Sequence, residues 1–212
     1  MKAILFDFDG VIIRSMENHF QGWRKAFGEY KIEISPEEVY VLEGQGVEEV
    51  GSQLTRKFNI PSQETPKIIE KKRQYFGEIK NFELYPHLLE TLDWAKERML
   101  KIGLVTGGNH EIVKRILQNF DIENYFDVIV TSEDVYLTKP SPEPYIRAAA
   151  ILDVAPEDCI VVENSPLGIR SAKAANMKCI AITTTLSQLF LKEADVITDD
   201  LSKVLEALKK LY

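Results

Sequence analysis

Two cysteines, Cys159 and Cys179, are all that 212 residues contain, too few for a disulfide framework in a chain of this size. Both sit beside apolar runs, so they are expected as buried, reduced thiols in strands. No stretch approaches the ~20 apolar residues of a membrane span. The first apolar run, Ala3–Phe6, is cut short by Asp7 and Asp9 and is too short and too acidic for a signal peptide, so the cytoplasm is expected. A basic surplus is missing as well. Twenty-six Lys and Arg stand against 33 Asp and Glu, a formal net charge of −7, which disfavours nucleic acid or an anionic membrane as the main partner. Internal repeats and low-complexity tracts are absent. What remains, 45% hydrophobic and 28% charged residues, is an ordinary globular composition, long enough to bury a core without staples.

Short apolar runs recur at Ala3–Phe6, Ile102–Val105, Val128–Val130, Cys159–Val162, Cys179–Ile182 and Val196–Ile197. They have the length of strands buried on both faces. Amphipathic stretches lie between most of them: Leu88–Met99, His110–Phe120, Pro144–Leu152, Pro166–Ala175 and Leu201–Leu211. Asn109, Ser141-Pro142 and Ser165-Pro166 mark helix starts. Strands alternating with helices predict an α/β fold, a doubly wound parallel sheet with helices on both faces. The alternation fails between about Arg14 and Phe82. That span reads as helices over Met16–Tyr30, Pro36–Leu42, Val47–Phe58 and Glu64–Ile79, and predicts a helical domain over 15–81 inserted into a core domain of 1–14 and 82–212.

Four segments carry candidate chemistry, each just past a buried strand or in a strand-to-helix loop. In Ile4-Leu5-Phe6-Asp7-Phe8-Asp9-Gly10, two carboxylates at i and i+2 project from one strand end, the edge where open α/β sheets bind ligands. Facing carboxylates repel unless a cation or a proton intervenes, and the pair suits a hard divalent ion such as Mg²⁺. Thr106-Gly107-Gly108-Asn109 offers a hydroxyl and free amides at a helix start. It reads as a phosphate cradle or as a plain turn with a cap. Lys139, flanked by Pro140 in a rigid loop, reads as a solvated charge or as a charge clamp on phosphate. Glu163 and Asn164 end another buried strand as oxygen ligands or as an ordinary turn. On one sheet edge the four converge on an acid nucleophile, a metal, a hydroxyl and a cation around a phosphate.

The series Asp7-Phe8-Asp9-Gly10-Val11, Thr106, Lys139-Pro140 and Glu163-Asn164-Ser165-Pro166-Leu167-Gly168 resembles the four motifs of the haloacid-dehalogenase-like hydrolases. The resemblance covers essentially the whole chain. Its closest branch looks like the β-phosphoglucomutase and phosphoglycolate-phosphatase group, with a Rossmann-like core and a helical cap. The resemblance implies that Asp7 is the nucleophile of an aspartyl-phosphate and Asp9 the general acid and base. The Asp9 main-chain carbonyl would touch the metal, with Asp7, Glu163 and Asn164 as further ligands or orienting groups of Mg²⁺. Thr106, Gly107, Gly108 and Lys139 would bind the phosphoryl group. His19, at the start of the cap, and Gly44 and Gly46, in its loop, would meet the substrate.

Two positions depart from that pattern. The fourth motif is usually Glu-Asp, and Asn164 offers an oxygen without charge. Some phosphatases of this group carry Glu-Asn, so the change does not imply loss of activity. Where the mutase pattern places an arginine suited to a second phosphate, this chain has Val47. The expected function is a phosphatase of a small phosphorylated metabolite, a sugar phosphate or phosphoglycolate. The alternatives are a sugar phosphomutase and a non-catalytic phosphometabolite-binding protein; a monomer or weak homodimer is expected. C–P bond hydrolysis lacks an obvious Schiff-base lysine, with Lys57, Lys67, Lys71 and Lys72 as candidates. Trp23 reads as cap packing, His87 as structural and His110 as exposed.

Overall fold

The computed structural model describes residues 1–79 and 81–212. Six parallel strands form one sheet in the order β3-β2-β1-β4-β5-β6. They are β1 (Ala3–Phe6), β2 (Lys101–Val105), β3 (Val128–Val130), β4 (Cys159–Glu163), β5 (Lys178–Ile182) and β6 (Val196–Thr198). The chain winds outward from β1 to β3, then returns to the other side of β1 as β4. That reversal opens a crevice at the carboxyl ends of β1 and β4.

Alternating strand residues feed two apolar layers. Ile4, Phe6, Ile102, Leu104, Ile160 and Val162 pack on one face with helices α5 (Leu88–Glu97), α6 (His110–Asn119) and α9 (Leu201–Leu211). Leu5, Val128, Val130, Val161 and Cys179 pack on the other with α7 (Glu143–Ile151) and α8 (Pro166–Ala174). This two-sided burial is why the strands read as continuous apolar runs. Both cysteines are free and buried. Among the described residues no helix is long and apolar enough to cross a membrane.

Between β1 and α5 the chain forms α1 (Met16–Gly28), α2 (Pro36–Tyr40), α3 (Val47–Lys57) and α4 (Thr65–Gly77). These share an apolar cluster of their own, built on Phe20, Trp23, Phe27, Leu54, Ile68 and Ile69. Ser35 and Glu38 cap α2 reciprocally, and α3 runs from Glu48 and Glu49 to Arg56 and Lys57, with its dipole. The second connector back to the core passes Lys80, which lies outside the described residues.

Some helix limits differ from expectation by a few residues. The helix expected from Glu64 begins at Thr65, because Ser62–Glu64 forms a separate 3₁₀ turn. Ser141 was expected to start a helix directly, but its Oγ accepts from the Glu143 amide and the helix begins at Glu143. Asn109 and Ser165 cap as expected, accepting from the amides of Glu111 and Ile112 and of Gly168. Leu54, fully buried in the helical cluster, gives a direct check. Leu54→Ala is expected to destabilise this layer by about 3 kcal/mol, read as a fall in the urea midpoint.

Candidate active site

Asp7 directly follows β1. Its amide donates to the Val162 carbonyl of β4 at 3.0 Å, which pins it at the crevice. The centre of the site is Lys139, 1% exposed, in the loop before α7. Its ammonium donates to Asp7 Oδ1 at 2.6 Å, Glu163 Oε1 at 2.7 Å and the Val105 carbonyl at 3.1 Å. All three of its hydrogens are used. Lys139 is therefore no surface charge but a junction between β1, β2 and β4. Burial works against its charge, and the two carboxylates outweigh burial and hold its pKa above the ordinary lysine value. Burial pushes the Asp7 carboxyl up to about 8 against the pull of Lys139, and Glu163 pushes the same way as burial.

Glu163 requires a correction. It was expected as a metal ligand or as a group that orients the ligands, and both its oxygens are committed to the protein, which leaves the orienting role. Oε1 accepts from Lys139 and from the Tyr145 hydroxyl at 2.9 Å. Oε2 accepts from the amides of Asn164 and Ser165 and from Ser165 Oγ. With five donors and no exposure, it holds Lys139 and the β4–α8 turn in place. Gly168 makes room for it: a Cβ there would lie 1.6 Å from Glu163 Oε1.

Asp9 sits over the crevice. Its Oδ1 accepts from Ser15 Oγ at 2.5 Å and meets His19 Nε2 at 3.1 Å. Burial alone would raise its pKa; His19, Ser15 and Lys72 outweigh burial and lower it. Nothing in the local sequence marks a polar role for Ser15 or Tyr145, and Lys72 stands there only among the candidate Schiff-base lysines. Thr106, just past β2, accepts from the Gly108 amide on its Oγ1 at 3.0 Å, leaving its hydroxyl hydrogen free. Asn164 Nδ2 donates to Thr185 Oγ1 at 2.8 Å, which fixes the amide plane and leaves its oxygen for a ligand.

Asp7, Asp9, Thr106, Gly107, Gly108 and Asn164 line one cavity of about 910 Å³ with His19, Gly44 and Gly46 from the helical unit. The loop of the helical unit closes over the phosphate-loop glycine: a Cβ on Gly107 would lie 2.3 Å from the Gln45 carbonyl oxygen. Lys139 and Glu163 lie beneath the cavity. His110 is exposed, and His87 is exposed at the start of α5. Trp23 is buried in the helical cluster, as expected of packing, and its ring also borders the cavity. Among the described residues no three His, Cys, Asp or Glu side chains converge as a metal cage. The side-chain oxygens that border the crevice are instead mixed, carboxylates from Asp7 and Asp9 and an amide from Asn164.

Residues 4–182 match the sequence model of the haloacid dehalogenase-like hydrolases. A validoxylamine A 7'-phosphate phosphatase from Streptomyces hygroscopicus subsp. limoneus is 27% identical over 96% of this chain and 95% of its own. A phosphoglycolate phosphatase from Salmonella choleraesuis is 34% identical over 71% of this chain and 62% of its own. The crystal structure of a β-phosphoglucomutase from Clostridium difficile superposes with a TM-score of 0.87 at 26% identity, over 99% of this chain and 96% of that one.

The buried lysine junction yields a stability prediction. Lys139→Met leaves Asp7 and Glu163 buried without their cation and is expected to cost about 3–5 kcal/mol at pH 7. In that variant the folded-state carboxyl pKa lies above the unfolded value. The loss is therefore expected to shrink as pH falls towards the unfolded value and to be full above the folded one. Urea unfolding at pH 5 and pH 7 checks both. By the geometry of its crevice and the match over most of its length, this chain belongs to the haloacid dehalogenase-like hydrolases.

Proposed function

We propose that the chain is a Mg²⁺-dependent phosphatase of small phosphorylated metabolites that works through an aspartyl-phosphate on Asp7. The observation that carries this reading is the state of Asp7. One oxygen is fixed by Lys139, while among the described residues no donor reaches the other, on a side chain that borders the cavity.

The donor set fits a hard divalent ion. Two buried carboxylates, Asp7 and Glu163, share one ammonium, and burial holds the Asp7 carboxyl far above its ordinary range, so a cation beside it would favour its ionised form. Asp7, the Asp9 main-chain carbonyl and the Asn164 side-chain oxygen would hold Mg²⁺. Bound there, the ion would supply positive charge to the phosphoryl oxygens. The chain's own residues then account for each step. The Thr106 hydroxyl and the Gly107 amide bind phosphoryl oxygens, and Lys139 keeps the nucleophile oriented. The free oxygen of Asp7 attacks phosphorus as the ester P–O bond breaks, and a proton on Asp9 passes to the leaving oxygen. Water then attacks the aspartyl-phosphate, Asp9 takes its proton, and phosphate and the Asp7 carboxylate are released. Glu163 positions Lys139 and does not touch the substrate. The helical unit, over 15–81, acts as the cap that excludes bulk water.

Hydrolysis is favoured over phosphoryl return to a second position. On the cap side of the cavity Val47 offers no charge, Arg73 is paired with Glu48, and the ammonium of Lys72 meets His19. A doubly phosphorylated intermediate would meet Glu43, Glu48 and Glu49 there.

Phosphate release from a panel of hexose phosphates, β-glucose 1-phosphate and phosphoglycolate tests the reading. Release is expected with Mg²⁺, to stop with EDTA, and to fall by at least about 10³-fold in Asp7→Asn. Isomerisation of β-glucose 1-phosphate without release would establish a mutase instead. Wild-type rates in Asp7→Asn would remove the nucleophile assignment.

A further inference from the structure

The loop that follows β5 runs behind Asn164. Thr183 donates its amide to the Thr198 carbonyl of β6 at 2.9 Å. Thr184 Oγ1 donates to the Gly10 carbonyl at 2.5 Å, which fastens the loop to the turn that carries Asp7 and Asp9. Beside it, Thr185 Oγ1 accepts from Asn164 Nδ2 at 2.8 Å. Asn164 is 2% exposed and borders the cavity; Thr185 is half-buried and lies outside the cavity wall. Gly10 closes a second side of the amide. Its φ is +84°, and a Cβ there would lie 2.1 Å from Asn164 Nδ2 and 2.9 Å from Thr185 Oγ1. A glycine α-carbon offers no acceptor, so among the described residues the Thr185 hydroxyl is the one hydrogen-bond partner of the amide nitrogen.

An amide ligand differs from a carboxylate in having unlike ends. Turned over about Cβ–Cγ, a carboxylate presents another oxygen, whereas an amide presents NH₂ in place of oxygen. The orientation that offers Oδ1 to a cation therefore sends Nδ2 into the protein, where a buried donor without an acceptor carries a desolvation penalty. Thr185 removes that penalty. Without its hydroxyl the turned amide would be preferred, because its NH₂ would then meet the crevice, where the Asp7 and Asp9 side chains supply acceptors. A cation would have to reverse that turn before Asn164 could serve it. The demand arises from this chain's asparagine; an aspartate needs no acceptor behind it.

We infer that Thr185 is a positioning residue that makes Asn164 a cation ligand, by accepting the amide hydrogen on the side away from the crevice. Thr184, through Gly10, sets where that hydroxyl stands. The inference rests on the reading above in which Asn164 helps to hold Mg²⁺, and adds the residue on which that ligand depends.

The test measures ion binding to the full chain without substrate, using Mn²⁺ followed by electron paramagnetic resonance and Mg²⁺ as competitor. Thr185→Val keeps the shape and removes the hydroxyl. It is expected to weaken binding of both ions by at least about 10-fold, the usual effect of losing a group that orients a ligand. Thr185→Ser keeps a hydroxyl and is expected to bind within about 2-fold of the wild type. In Asn164→Ala no amide remains to orient, so adding Thr185→Val is expected to change affinity by less than about 2-fold. Wild-type affinity in Thr185→Val would overturn the inference and leave the phosphatase reading intact. So would an equal loss in the Asn164→Ala background, which would mark a general disturbance of the loop. Should Thr185→Val not fold, Thr185→Ala carries the same expectation. A wild type that releases phosphate yet binds neither ion would remove the inference together with the Mg²⁺ part of the reading above. A wild type that binds both ions and shows the Thr185 effect, yet releases phosphate from no compound, would remove the phosphatase reading and uphold the role of Thr185.

Discussion

A lysine ammonium buried between two carboxylates holds this site together. Removing three charges from water costs several kcal/mol per ion, and the arrangement persists only because every hydrogen of Lys139 has an acceptor. Those acceptors belong to β2, to the end of β4 and to the residue after β1. The ion cluster thus ties together the three strand ends that bound the crevice. Glu163 extends the tie to α7 through Tyr145 and to the α8 turn through Ser165. Asp7, the proposed nucleophile, is oriented by a network that runs through most of the core.

Above that layer the helical unit closes the site with backbone and with charge. Its loop carbonyls approach Gly107 so closely that a methyl group there would strike them. His19 reaches from α1 to Asp9, and Lys72 reaches from α4 to His19. The pKa of Asp9 in the core is therefore lowered by side chains from the other unit. Docking of the two units and the protonation state of Asp9 are physically linked.

Much of this was legible in the residues, for identifiable reasons. Strands buried on both faces write themselves as apolar runs, so the limits of β1 and β3 agree with expectation to the residue. Asn109 and Ser165 announce their helices because a capping side chain is a local device. Asp7 and Asp9 were identifiable because carboxylates are out of place at a buried strand end. What could not be read was direction and partnership. Glu163 at the end of a strand looks the same whether it faces an ion or a lysine, and only the distance to Lys139 decides. His19 and Lys72 lie far apart in sequence, on two different helices, and their contact depends on how α1 and α4 pack, which periodicity does not specify. Ser141 misled by one residue because its side chain caps from a position just ahead of the usual one.

The central claim is that Asp7 carries the phosphoryl group during turnover. It is tested most directly by acid-quenching the enzyme during turnover of its best substrate and locating covalent phosphate by tandem mass spectrometry. The account predicts one phosphoryl group, on the Asp7 side chain, present in the wild type with Mg²⁺ and absent from Asp7→Asn. Phosphate bound covalently to another residue, or turnover under the same conditions with no phosphorylated protein at any quench time, would contradict it.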